Sequence, residues 1–179
     1  VSATDFTDVA GMQGIDYRRK ENSPYPRDFG TDFSFLKEKP SYLSLEGYLF
    51  PDTYNIPAES SAQDIAEQIL SNLEDKLTEE LRAEIKRQDT SLFEVLTIAS
   101  LLEKEVQTFE DKKMVADVIR KRLEIGMALQ IDATVSYLTQ KNSVQVTKKD
   151  TQIDSLYNTY KYPGLPLGPI ANPGLESIR

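Results

Sequence analysis

The stretch from Ser91 to Val106, SLFEVLTIASLLEKEV, constrains the fold more than any other part of the chain. Ser91 followed three residues later by Glu94 is the capping-box pattern, in which two side chains satisfy orphan N–H groups at a helix start. From Leu92 to Leu102 only Glu94, Thr97 and Ser100 are polar. A helix so poor in polar surface is expected to be buried inside a domain. It ends in Glu103-Lys104-Glu105, and a carboxylate at the mouth of a buried apolar helix stands where desolvation favours its protonated form. That is how a glutamic acid becomes a general acid near neutral pH. On a helical wheel centred on Val95, Ala99, Leu102 and Val106, Glu103 and Glu105 flank the stripe about equally, so the residues alone leave both as candidates.

The remaining elements are read around that helix. Residues 1–43 open with a short helix capped by Ser2 or Thr4 and continue as a loop-rich connector with one apolar turn at Phe33–Leu36. LEGYLFPDTYNI, residues 45–56, reads as strand, turn and strand, rich in aromatic and β-branched residues and broken at Gly47 and Pro51-Asp52. It is either an aromatic edge hairpin or a cleft wall suited to sugar rings. Ile65, Ile69, Leu73, Leu77, Leu81 and Ile85 recur at near-fourfold spacing and predict an amphipathic region over 62–88, capped by Ser60 or Ser61, with a second start at Thr78. After the central helix, Thr108 opens another to about Ile125, closed by Gly126, with Arg120-Lys121-Arg122 complementing the dipole of its last turns. Asp132 is placed to cap a short helix through Tyr137, with Gln130 in the loop before it. Val144–Thr147 is a short strand candidate. Residues 156–174, LYNTYKYPGLPLGPIANPG, hold too much Pro and Gly for a regular helix or inner strand. They predict a stiff extended loop wrapped over the domain. The expected fold is therefore α+β: a helical layer over 61–138 packed on a small mixed β-sheet made from the 44–56 hairpin and the strands after 140. The cleft is expected between the Glu103 helix end, the hairpin and the 156–174 loop.

Composition narrows the chemistry. The chain has no histidine and no cysteine, which removes Ser-His and Cys-His nucleophiles, histidine or thiolate metal sites, and disulfides. A net charge of −8 without a basic stripe argues against a nucleic-acid partner. No run approaches the roughly 18–20 apolar residues that span a bilayer, and no signal peptide is visible. Catalysis by this chain has to use carboxylates, Lys, Tyr, hydroxyls or backbone amides, with no cofactor and no metal. Beginning at Val1 and stopping at Ile178-Arg179, the chain reads as a fragment.

LEGYLFPDTY, IASLLEKEV, RLEIGMALQIDATVSY and YNTYKYPGLPLGPIANPG follow one another in this order over about residues 44–177. In that order and spacing they resemble the YceG-like family of endolytic murein transglycosylases, membrane-anchored enzymes that cut nascent peptidoglycan glycan strands. The chain departs from the usual family pattern at Ile131 and Ala133, in place of a polar residue and a proline, and around Leu156 and Leu167. The resemblance implies that residues 1–43 are a connector or remnant of a LysM-like module, and that residues 44–179 are a catalytic domain incomplete at its C-terminal end. It selects Glu103, the first Glu of the Glu-Lys-Glu triplet, as the catalytic residue. It further implies cleavage of the β-1,4 bond between N-acetylmuramic acid and N-acetylglucosamine, leaving 1,6-anhydro ends.

One glutamic acid can then serve as acid and as base, because the muramic C6 hydroxyl attacks its own anomeric carbon. Expected substrate-binding residues are Asn158, Tyr157, Tyr160, Gln130 and Asp132, with Tyr48, Asp52 and Thr53 on the opposing wall. Expected partners are peptidoglycan glycan strands, with peptidoglycan synthases as candidate protein partners. The expected location is the extracytoplasmic face of the bacterial cell membrane, reached through an N-terminal helix absent from this chain. The rival from another class is a non-catalytic glycan-binding scaffold. A pyridoxal-phosphate lyase, an older label for the family, is set aside, since no Gly-rich phosphate turn or lone buried Schiff-base lysine is evident.

Overall fold

Side-chain caps fix where most of the helices begin. The computed structural model describes residues 1–20, 25–140 and 146–179. Within them run α1 (Ala3–Ala10), α2 (Ala62–Lys76), α3 (Glu79–Arg87), α4 (Leu92–Glu105), α5 (Phe109–Glu124), α6 (Asp132–Thr139) and α7 (Leu175–Ile178). Ser2, Ser61 and Ser91 each form a capping box with the acidic residue three positions on, and Thr78 and Thr108 accept the N–H of Leu81 and Asp111. The predicted amphipathic region thus divides at Leu77-Thr78 into α2 and α3. Gly126, at φ +65°, follows the end of α5. Asp132 behaves differently from its expected role as a cap. Ile131 occupies the N-cap position without a side-chain bond, and Asp132 is the first helical residue. No described helix is long and apolar enough to cross a membrane.

α4 lies between two apolar clusters and contributes to both. Leu92, Leu96 and Ala99 pack with Leu70, Leu73 and Ile85 of the preceding helices and with Phe29, Phe33, Phe35, Leu45 and Tyr48. Leu101 and Leu102 pack with Ile119 of α5 and with Leu129, Ile131, Tyr157 and Ile170. Its two buried hydroxyls are satisfied locally: Thr97 Oγ1 donates to Phe93 O at 2.7 Å and Ser100 Oγ to Thr97 O at 2.7 Å. Of the N-terminal part of the chain, Ala10, Phe29, Phe33, Phe35 and Leu36 belong to the first of these clusters.

The expected α+β architecture is overturned. Among the described residues there is no strand, and the helices pack on each other and on irregular chain. The 44–56 segment turns at Leu45–Tyr48, where Tyr48 N–H meets Leu45 O at 2.9 Å, and then runs on without a paired strand. The amide donors that a hairpin would have used are taken by a side chain: Asn172 Oδ1 accepts the N–H of Gly47 at 2.8 Å and of Leu49 at 3.1 Å. Of the second strand candidate, Val144 and Gln145 lie outside the described residues. Val146 and Thr147 lead into a turn in which Thr147 N–H and hydroxyl both bind the Asp150 carboxylate.

The 156–174 segment is irregular where an extended loop was expected: it turns at Asn158, whose carbonyl accepts the N–H of Lys161 and Tyr162, and it lies over α4, with Ile170 N–H donating to Ser100 Oγ at 3.0 Å. Those contacts bring the chain end, α7, beside the last turn of α4.

Candidate active site

Glu103 occupies the last turn of α4, and its carboxylate is held by α5 and α7. Oε2 accepts the backbone N–H of Gly174 at 3.3 Å and the hydroxyl of Ser177, and Lys112 Nζ stands 3.8 Å away. Lys112 also binds Glu176 Oε2 at 3.0 Å. The Lys112 side chain is 8% exposed, against 36% for Glu103 and 56% for Glu176, so the cation is buried beneath two carboxylates that reach water. The neighbours of the Glu103 carboxylate are thus an amide, a hydroxyl and an ammonium, in place of the apolar collar expected from the sequence of α4. A groove of about 630 Å³ adjoins this cluster, lined by residues of α3, α4, α5 and α7 that include Leu102, Lys112, Glu176 and Ser177.

A second polar group gathers around the start of α6. Tyr160 Oη donates to Asp132 Oδ1. That bond, more than partial burial, pushes the Tyr160 hydroxyl up to about 12. Glu105 Oε1 accepts Ala133 N–H at 3.3 Å, so this carboxylate helps cap α6. Gln130 sits in the left-handed region at φ +53° with its side chain exposed. For a non-glycine residue that backbone stores strain of roughly 1–3 kcal/mol, sustained by surrounding bonds. Here those are Gln130 N–H to Thr159 O at 3.0 Å and Ile131 N–H to Thr159 Oγ1 at 3.0 Å. The chain around Gln130 and Asp132 is thereby locked to the segment around Tyr160.

The remaining candidates lie elsewhere. Asn158 is fully buried. Its Nδ2 donates to Thr151 O at 3.1 Å and Ile153 O at 2.8 Å, and its Oδ1 accepts Tyr160 N–H at 3.0 Å. Tyr157 is buried against Tyr137, and burial raises its hydroxyl above the ordinary phenol value. Tyr48 has no exposed surface, stacks on Phe35, and its hydroxyl has no partner among the described residues. Asp52 and Thr53 are exposed, and the contacts of Asp52 run to α2. Asn72 Nδ2 donates to its carboxylate at 3.0 Å, which with the Thr53 N–H holds it below the usual carboxylate range. The structure therefore joins Tyr160, Asp132 and Gln130 into one group and keeps Asn158 and Tyr157 beneath it.

Lys112, Glu176 and Ser177 were not singled out by sequence. Lys112 carried a readable signal: with Val115, Ala116 and Ile119 it falls at i, i+3, i+4 and i+7, a lysine on the apolar stripe of α5. Glu176 and Ser177 carried none, since only the fold of the preceding loop brings them to α4. Among the described residues no group of three or more His, Cys, Asp or Glu side chains is arranged to hold a metal ion.

The YceG-like family profile matches residues 6–179. An endolytic murein transglycosylase of Bacillus subtilis (strain 168) is 43% identical over 135 residues, which cover 74% of this chain and 37% of that protein. One from Streptococcus pneumoniae serotype 2 (strain D39) is 36% identical over 148 residues, covering 80% of this chain and 27% of that protein. A crystal structure of a yceG-like protein from Listeria monocytogenes superposes with a TM-score of 0.71 at 38% identity, over 80% of this chain and 47% of that one. The chain belongs to the YceG-like family. It spans roughly a third of the length of the curated relatives it matches.

Proposed function

We propose that this chain, as a member of the YceG-like family, carries the catalytic part of an endolytic murein transglycosylase. The reaction is cleavage of the β-1,4 bond between N-acetylmuramic acid and N-acetylglucosamine in nascent glycan strands, leaving 1,6-anhydromuramic ends. Glu103 supports this reading best. It is a carboxylic acid at the end of the buried helix, anchored through one oxygen and open to solvent. As general acid, Glu103 gives a proton to the glycosidic oxygen as the C1–O4 bond breaks. The muramic C6 oxygen then bonds to C1, and its proton returns to Glu103. The proton count closes without water, and the intramolecular attack supplies the proximity that a captured nucleophile would lack.

Tyr160, Asp132 and Gln130 form the candidate sugar-binding surface, with Asn158 and Tyr157 holding it from below, while Tyr48 is buried in the other apolar cluster, against Phe35. Asp52 and Thr53 are candidates for a subsite further along the strand. Residues 1–43 are the proposed remnant of a LysM-like module docked on a catalytic domain over 44–179. The proposed place of action is the extracytoplasmic face of the bacterial cell membrane, where murein lies, beside peptidoglycan synthases as partners.

The test is digestion of uncrosslinked glycan strands by wild type and Glu103→Gln, with products read by mass spectrometry. Anhydromuramic ends from the wild type alone are expected, with Glu103→Gln slower by about 10²–10⁴-fold. Reducing ends would indicate hydrolysis and a second carboxylate. Binding of strands without cleavage by either protein would favour the non-catalytic scaffold.

A further inference from the structure

We infer that Lys112 is a positioning residue for Glu103, and that Glu103 Oε1 is the oxygen that carries the reacting proton. The inference rests on the transglycosylase reading above. Among the described residues the hydrogen bonds and the ion pair of the Glu103 carboxylate fall on Oε2: the Gly174 N–H, the Ser177 hydroxyl and, at 3.8 Å, the Lys112 ammonium. Donors gathered on one oxygen hold it as the acceptor end of the group. The proton and the leaving oxygen then fall to Oε1. In the reaction Oε1 releases its proton to O4 as the C1–O4 bond breaks, and receives the C6 hydroxyl proton as the C1–O6 bond forms.

The placement of Lys112 argues for a functional charge. An ammonium at 8% exposure on the apolar stripe of α5 is unfavourable unless paired, and an apolar side chain of similar length would pack there without that penalty. Its two partners come from different elements, Glu103 from α4 and Glu176 from α7. Lys112 therefore sets the distance between the end of α4 and α7, and α7 with its N-cap residue supplies the Ser177 and Gly174 donors. Displacing a reacting group by about 1 Å lowers turnover by roughly a hundredfold, so a clamp on three elements has a direct kinetic consequence.

The experiment compares Lys112→Met, Lys112→Arg, Ser177→Ala and the exposed control Lys113→Met with wild type and Glu103→Gln on uncrosslinked glycan strands. Lys112→Met is expected to lower kcat about ten- to a hundredfold with KM unchanged and thermal stability kept or raised. Lys112→Arg is expected to recover most of the loss, and Lys113→Met to match wild type. A readout independent of turnover is the side-chain carboxyl carbon resonance of Glu103, assigned by its loss in Glu103→Gln. It should move in Lys112→Met and Ser177→Ala and stay in place in Lys113→Met. Wild-type kcat in Lys112→Met beside an inactive Glu103→Gln overturns the positioning role and leaves the transglycosylase reading intact, as does a Glu103 resonance that ignores Lys112. Full activity in Glu103→Gln overturns that reading and this inference together.

Discussion

The side-chain oxygen of Asn172 accepts the backbone N–H of Gly47 at 2.8 Å, across 125 positions of sequence. The same oxygen takes the Leu49 N–H, so one amide side chain replaces a strand ladder. Gly47 lies at φ +90°, and a Cβ there would sit 2.4 Å from Pro169 Cγ. Gly47→Ala is expected to lose roughly 2–4 kcal/mol from the combined backbone and packing penalties. Asn172→Ala, which strands two donors, is expected to lose about 2 kcal/mol. Urea unfolding checks both. Because the residues share a contact, the double variant should lose less than the sum.

This relationship also shows where reading the sequence failed. Leu45–Ile56 has strand-like composition, but propensity reports suitability for a half-buried extended surface and does not supply a pairing partner. Asn172 took that role from far along the chain. The helices were legible because caps and apolar spacing are local: Ser61, Ser91 and Thr108 each act within three residues of themselves. The place at the end of the apolar helix made candidates of Glu103 and Glu105 alike, and only the family resemblance selected Glu103. Its partners were not legible, because Ser177 and Gly174 reach it only once residues 168–174 have folded over Ser100. Asp132 misled for a physical reason: its carboxylate meets Tyr160, and Glu105 from another helix binds the α6 amide.

Glu46 gives a stability prediction outside the reaction. Its side chain is buried, and burial, more than its bond to Gln13 or the charge of Lys104 opposes it, raises its pKa. A carboxyl raised in the folded state contributes stability fully below its unfolded pKa and loses it as pH rises through the folded value. Glu46→Gln keeps a hydrogen-bonding amide and removes the charge. It is expected to raise Tm at pH 7, with the two melting curves converging below about pH 4. Equal Tm values at pH 7 would contradict the buried-carboxylate account.

Lys39 gives the opposite slope. Burial lowers its pKa to about 8, while Nζ donates to Pro40 O and to Leu43 O. A lysine lowered in the folded state is charged and unfavourable below its folded pKa. The penalty is relieved as pH climbs from about 8 toward the unfolded value near 10.4. Wild-type stability should therefore gain up to about 1.4 kcal/mol per pH unit over that window from this group. Lys39→Met should remove that gain, measured by urea unfolding across the window.

The pair of Tyr160 and Asp132 tests the sugar-binding surface separately from the acid. Their hydrogen bond fixes the Tyr160 ring beside the strained turn at Gln130. It also holds the phenol protonated up to about 12, chiefly because the carboxylate accepts its proton. Asp132→Asn should let that hydroxyl fall back toward the ordinary value near 10, seen in an ultraviolet titration of the nine tyrosines as one group moving to lower pH. Exposure at Asp132 keeps the stability change within about 1 kcal/mol. If the pair orients a bound sugar, Tyr160→Phe and Asp132→Asn should each raise KM by about tenfold and spare kcat, the pattern of lost uniform binding. Loss of kcat alone would place the pair with Glu103 in the proton-transfer step. Unchanged kinetics beside a moved titration would reduce it to a lock on the 130–132 turn.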